Sequence, residues 1–210
     1  MDKKLEEAVA TMKSFIETNA KAGFDSEEGI VRASLEYMDG EAEPSFLLPH
    51  AKKIARKAFK QLREEQPRWP DVTDCDRLDA AFAELDANGI ISRQNFSCCQ
   101  NCGSYEIGEQ IQDAIDSGRE VRGYTFYHEQ DTESGVEGYG VCLAYGSIEE
   151  PEEAHVAMAH EIVSTIEKHG LSPVWNGDLK RRIEVPLDWK RRRVFPPEPT
   201  FFHKLRTLFT

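Results

Sequence analysis

Two prolines three residues apart in QPRWPDV, residues 66–72, constrain this chain more than any other feature. Neither can donate a backbone hydrogen bond, and each pushes the residue before it away from helix, so no helix is expected to run through the segment. The apolar pattern also changes there. Before it every stripe has helical spacing; after it, strand-type alternation appears between the helical stripes. The expected organisation is a helical N-terminal region over 1–66, an α+β region over 67–193 and a basic, aromatic tail over 194–210.

In DKKLEEAVATMKSFIETNA, Leu5, Val9, Met12, Phe15 and Ile16 share one side of a helix. Asp25 and Glu28 have capping-box spacing ahead of a second helix carrying Ile30, Val31, Leu35 and Met38, with Gly40 as its stop. Pro49 is expected to open a third, with Ile54, Ala58, Phe59 and Leu62 on one side. Each stripe needs a partner surface, so these helices should pack on one another and on the rest of the chain.

Past the prolines, DCDRLDAAFAELDANG reads as a helix with Leu78, Phe82 and Leu85 inward and Gly89 as its end. GIISRQNF is a strand, and the helix after it bears Ile107, Ile111 and Ile115 and stops at Gly118. VRGYTFYHEQ and GYGVCLAYGS are two strands joined by a polar loop, DTESGVE. Pro151 starts a long helix with Ala154, Met158, Ile162 and Ile166, and LSPVWN and RIEVPLDW are the final strands. This order predicts an α+β, ferredoxin-like sheet, βαββαβ plus an extra edge strand. Pro186 suits that edge, which need not donate every ladder hydrogen bond.

A net charge of −12 argues against general nucleic-acid binding, since phosphate would be repelled by most of the surface. The charge is uneven: Lys180 to Arg206 holds nine basic residues against three acidic, or +6, which leaves −18 elsewhere. Arg181, Arg182, Arg191, Arg192 and Arg193 are therefore candidates for an anionic contact, for internal or subunit pairing, or for a solvated basic face. No apolar run approaches the roughly 20 residues of a transmembrane helix. MDKKLEEAVA has acids where a signal peptide would be apolar, so a reducing cytoplasm is the expected setting. In the tail, Phe201, Phe202, Leu205, Leu208 and Phe209 could dock on the core, a partner or a membrane surface.

Three of the five cysteines fall within five positions in NFSCCQNCG, residues 95–103. Cys99 and Cys102 have the spacing at which two thiolates chelate one zinc, and Cys98 could add a third ligand. A second pair is absent, so the fourth would come from Cys75, Cys142 or His128. The same CxxC, set between a strand and a helix, could also be a redox pair, because a helix N-terminus lowers a thiol pKa. Packed, reduced thiols are the third reading.

FYHEQDTE groups His128, Gln130, Asp131 and Glu133 at a strand end. An imidazole beside carboxylates suits general acid–base work if buried; otherwise the group is a hairpin turn. His155 and His160 lie about 140° apart around a helix and share no metal face. There is no GxSxG, HExxH, Walker loop or dinucleotide fingerprint.

WPDVTDCDRL, NFSCCQNCG and RGYTFYHEQDTE together resemble an uncharacterised bacterial domain-of-unknown-function family with WPDVTDCDRL, NFxCCxxCG and GYxFYHxQDTE segments. The likeness covers about residues 20–193 and implies a bacterial, cytoplasmic protein without implying an activity. The expected function is a non-enzymatic, immunity-like or regulator-like protein that binds another protein, a basic one by charge. The alternatives are a thiol redox enzyme or sensor using Cys99 and Cys102, and a zinc-stabilised binding module. Apart from zinc, no cofactor is indicated.

Overall fold

A computed structural model describes residues 3–195. Three helices open the chain: α1 (Lys3–Ala22), α2 (Glu27–Tyr37) and α3 (Pro44–Glu65). They bury a core of their own around Met12, Ile16, Ile30, Leu47, Ala51 and Ala55. Met12 and Ile16 are fully enclosed, and each contributes about 1.5–3 kcal/mol. Ala20, Ala51 and Ala55 keep the helices close, because a larger side chain at any of them would push two axes apart.

Two helix starts differ from the expected ones. Ser26, not Asp25, caps α2, its hydroxyl accepting from the Gly29 N–H at 3.0 Å. Pro44 takes the first position of α3 and Pro49 lies inside it. A proline so near the N-terminus deletes a single intrahelical hydrogen bond, which the well-buried helix tolerates.

After a short 3-10 turn at Gln66–Arg68 come α4 (Asp74–Ala87), β1 (Ile90–Arg93), α5 (Gln100–Asp116), β2 (Gly123–Phe126), α6 (Glu129–Val136), β3 (Val141–Ser147), α7 (Glu152–Lys168) and β4 (Ile183–Val185). Thr73 and Asp76 form a complete capping box at α4. The sheet has α4 and α7 on one face, around Leu78, Leu85, Leu143 and Ile162. On the other face, α5 packs through Ile107 against Ile91, Phe126 and Ala144. Ile90 and Ile91 thus point to opposite faces, as strand alternation requires.

The fold is a mixed α/β arrangement with a four-stranded sheet in the order β1-β2-β3-β4. Its connectivity corrects the ferredoxin-like expectation. β1 and β2 are adjacent and parallel, Ile90 opposite Gly123. A split βαβ sheet would place another strand between them. Only β2–β3 and β3–β4 are antiparallel.

Two smaller differences follow from local chemistry. The polar loop DTESGVE lies mostly within helix α6. LSPVWN contributes a single bridge, Val174 opposite Glu184, in place of a strand. Val174 and Glu184 exchange both backbone hydrogen bonds, and the next such pair along would need an N–H at 186, where Pro186 has none. β4 is the edge, and Pro186 follows it directly.

The segment after β4 runs back as a strap between the helical region and the sheet. Trp189 Nε1 donates to the Lys21 carbonyl at 3.1 Å. Arg191 pairs with Asp79 at 2.9 Å and lies over the Phe24 ring, and Arg192 pairs with Asp76 at 3.3 Å. Arg193 donates to the carbonyls of Asn19, Ala20 and Asp25 while covering Phe59. The first two of these carbonyls belong to the last turn of α1, where a cation is favoured. Of the expected tail over 194–210, residues 196–210 lie outside the described residues.

Candidate functional site

Because β1 and β2 are parallel, their C-terminal ends lie on one edge of the sheet, and each leads into a helix. β1 runs through the loop 94–99 into α5, whose N-cap is Cys99. β2 runs through Tyr127 into α6, whose N-cap is His128. Two helix N-termini therefore meet at one corner.

The two connections are stitched together. Phe96 N–H donates to the Tyr127 carbonyl at 2.9 Å, and Glu129 N–H to the Ser97 carbonyl at 3.1 Å. Thr132 Oγ1 donates to Asn95 Oδ1 at 2.7 Å. Asn95 and Ser97 have left-handed backbone, φ 50° and 62°, in a loop that then carries its cysteines outward. Gly103 lets α5 sit on the sheet: a Cβ there would lie 2.5 Å from the Phe126 ring. Phe96 completes the packing, edge-on to Phe126.

The Sγ atoms of Cys98, Cys99 and Cys102 all lie within 4.8 Å of one another, and no other described residue joins that group. Cys98 and Cys102 are exposed and Cys99 half-buried. The thiols are inequivalent. The backbone N–H of Cys102 and the neighbouring thiols hold Cys99 below the usual thiol range. Cys102 donates its S–H to the sulfurs of Cys98 and Cys99, and this, with their repulsion, pushes it up to about 11.

Neither Cys75 nor His128, the expected sources of a fourth ligand, belongs to the cluster. Cys75 is enclosed in the α4 core, where burial pushes its thiol up to about 12. Cys142 is half-buried on β3, and burial raises its thiol too.

His128 is committed to capping. Its Nδ1 accepts from the Asp131 N–H at 3.3 Å, while Asp131 Oδ2 accepts from the His128 N–H at 3.2 Å. With Nδ1 accepting, the ring proton sits on Nε2, 3.1 Å from Asp131 Oδ2. Burial lowers the His128 pKa, Asp131 opposes this and Arg182 adds to it. His128 is thus a neutral, enclosed cap with both nitrogens engaged.

Arg182, just before β4, reaches across to this cap. Its Nη1 donates to Asp131 Oδ2 at 2.8 Å, to the Cys142 carbonyl at 3.2 Å and to Gln100 Oε1 at 3.3 Å. Gln100 is the first residue of α5, so one guanidinium ties the cysteine-bearing helix to α6. Of the other residues singled out from sequence, Gln130 and Glu133 are exposed on α6 and Arg181 is exposed beside β4. Arg191, Arg192 and Arg193 are engaged within the strap.

Asn95, Gln100, Gly103, Glu106 and Thr132 also build the corner, and the sequence reading did not single them out. The signal for Glu106 was its four-residue spacing from Cys102, which puts both on one face of a helix. Its carboxylate Oε1 accepts from Ser97 Oγ at 3.0 Å.

Fold and corner define a mixed α/β protein with a surface three-thiol cluster where two helix N-termini converge. The chain belongs to the family described as a domain of unknown function (DUF6891), whose model matches residues 5–193. No curated protein and no solved structure matches it. No described helix is long and apolar enough to cross a membrane.

Proposed function

We propose that this chain is a non-enzymatic binding protein whose presented surface is a cysteine corner stabilised by zinc. The observation that carries the reading is the mutual approach of Cys98, Cys99 and Cys102 within 4.8 Å. Zinc takes thiolates at about 2.3 Å, so a tetrahedral pair of sulfurs sits about 3.8 Å apart. The loop needs to close by no more than about 1 Å to reach that spacing. Exposed Tyr105 on α5 and the exposed thiols give the corner an outward face, and the acidic body favours a basic protein partner. A reducing cytoplasm suits this role, since free thiolates are the ligands.

The test is thermal unfolding of reduced chain, purified without an affinity metal, with and without zinc. Zinc should raise the melting temperature and a chelator should reverse the gain. An unchanged melting temperature with no zinc retained would remove the reading.

A second reading has its own observation: Cys99 is lowered and Cys102 raised, the order expected of an attacking and a resolving thiol. Here the corner would be a thiol redox site or sensor. A Cys99–Cys102 or Cys98–Cys102 disulfide formed under mild oxidant and reversed by dithiol would favour it; sluggish, uniform thiols would exclude it.

A further inference from the structure

We propose that Glu106 is the fourth protein ligand of the three-thiolate site. The proposal rests on the zinc reading above and names the residue that completes the coordination.

Zinc accepts carboxylate oxygen as well as sulfur and nitrogen, at about 2.0–2.2 Å, and its protein sites are tetrahedral. Three thiolates leave one position open. Glu106 follows Cys102 by one helical turn on the same side of α5, where such neighbours lie about 5–6 Å apart at Cβ. Its carboxylate lies outside the 4.8 Å group, as the other candidate ligands do, but it is exposed and turned back toward the loop, accepting from the hydroxyl of Ser97, the residue directly before Cys98, so a side-chain rotation brings it to the ion. One carboxylate thus spans the gap between the helix that supplies Cys102 and the loop that supplies Cys98.

The carboxylate has two oxygens. One can move onto the ion while the Ser97 hydroxyl holds the other, the arrangement by which outer partners orient ligands in metal sites. Ser97 itself is fixed through its carbonyl, which accepts from the Glu129 N–H. Asp25, Glu133 and Glu106 all place like charge near Glu129, and a divalent cation held at Glu106 relieves part of that crowding. Three thiolates and one carboxylate select a borderline-soft divalent ion over calcium or magnesium, which favour all-oxygen sites. Uptake releases the protons of whichever thiols are not already ionised.

Cobalt(II) is the probe, added anaerobically to the full reduced chain and read by absorption. Wild type should show thiolate-to-cobalt charge transfer for three sulfurs and intense tetrahedral visible bands. Glu106→Gln should keep the charge transfer, alter the visible bands and weaken binding at least about tenfold. Ser97→Ala should weaken it less than Glu106→Gln, because it removes an orienting group and leaves the ligand. Unchanged affinity and bands in Glu106→Gln would overturn the proposal while leaving the thiolate site standing. An equal loss in Ser97→Ala would also overturn it, since the pair would then act by holding the loop. No thiolate charge transfer in wild type would remove both the proposal and the zinc reading beneath it.

Discussion

Arg182 Nη1 donates to Asp131 Oδ2 at 2.8 Å, and this contact joins the edge strand to the α6 N-terminus. Asp131 is almost wholly enclosed, whereas about a third of the Arg182 side chain is in solvent. Breaking a fully buried pair costs about 3–5 kcal/mol, and solvent screening of the arginine reduces that here. Arg182→Ala is expected to lose about 2 kcal/mol in urea unfolding. It should also free the first turn of α5, seen as faster amide exchange from Gln100 onward. Lysine at 182 should restore only part of the loss, because one ammonium cannot serve acceptors spread over three elements.

Gly103 tests the seat of the cysteine helix. A methyl there meets the Phe126 ring, which is itself enclosed by the core, so α5 must shift. Gly103→Ala is expected to cost about 1–3 kcal/mol, although alanine is the better helix former. Metal binding should weaken with it. A stabilised variant would mean that the helix is seated elsewhere.

The His128 cap gives a pH dependence with a definite sign. Its folded-state pKa lies below the usual 6.5, so the unfolded chain binds the extra proton more readily. The stability held through neutral His128 is present above about pH 6.5 and falls as pH drops toward the folded value. Hydrogen bonds and arginine neighbours, against the opposing effect of burial, hold Asp76 and Asp86 below the usual carboxylate range. Their contribution is lost only in stronger acid, below about pH 4. His128→Asn keeps an N-cap and removes the titration, so its unfolding free energy should vary less than wild type between pH 7 and about 5. Parallel curves would contradict this assignment.

In the metal-free chain the thiols should react in a set order. Cys99 is expected to be alkylated first at neutral pH, because its thiolate fraction is the largest among the shifted thiols. Cys75 should stay unmodified until the chain unfolds, enclosed as it is and with its pKa near 12. Peptide mapping of a timed iodoacetamide reaction checks both statements.

These features were unequally legible in the sequence. Met12 and Ile16, or Met158, Ile162 and Ile166, mark helix faces by spacing alone, and the strand from Ile183 is marked by alternation. Helix α6 has no such stripe: it buries Asp131, Thr132 and Gly135, and its start is signalled by a histidine cap. Strand order was hidden because a strand–helix–strand pattern does not say whether its two strands touch or are split. For Arg191 and Arg192 the sequence left internal pairing and a solvated face both open, since Asp79 and Asp76 lie more than a hundred residues away in the chain. At the site, the spacing of Cys98, Cys99 and Cys102 announced a shared ligand, but nothing linear could show that Cys75 and His128 were occupied elsewhere.

The most direct measurement of the central claim is zinc stoichiometry with a free-thiol count on the anaerobically purified chain, before and after chelation. The account predicts one zinc per chain and two thiols outside the site, Cys142 reacting slowly and Cys75 only on unfolding, with the other three shielded until the metal is withdrawn. Cys98, Cys99 and Cys102 all freely titratable in the presence of excess zinc would contradict it.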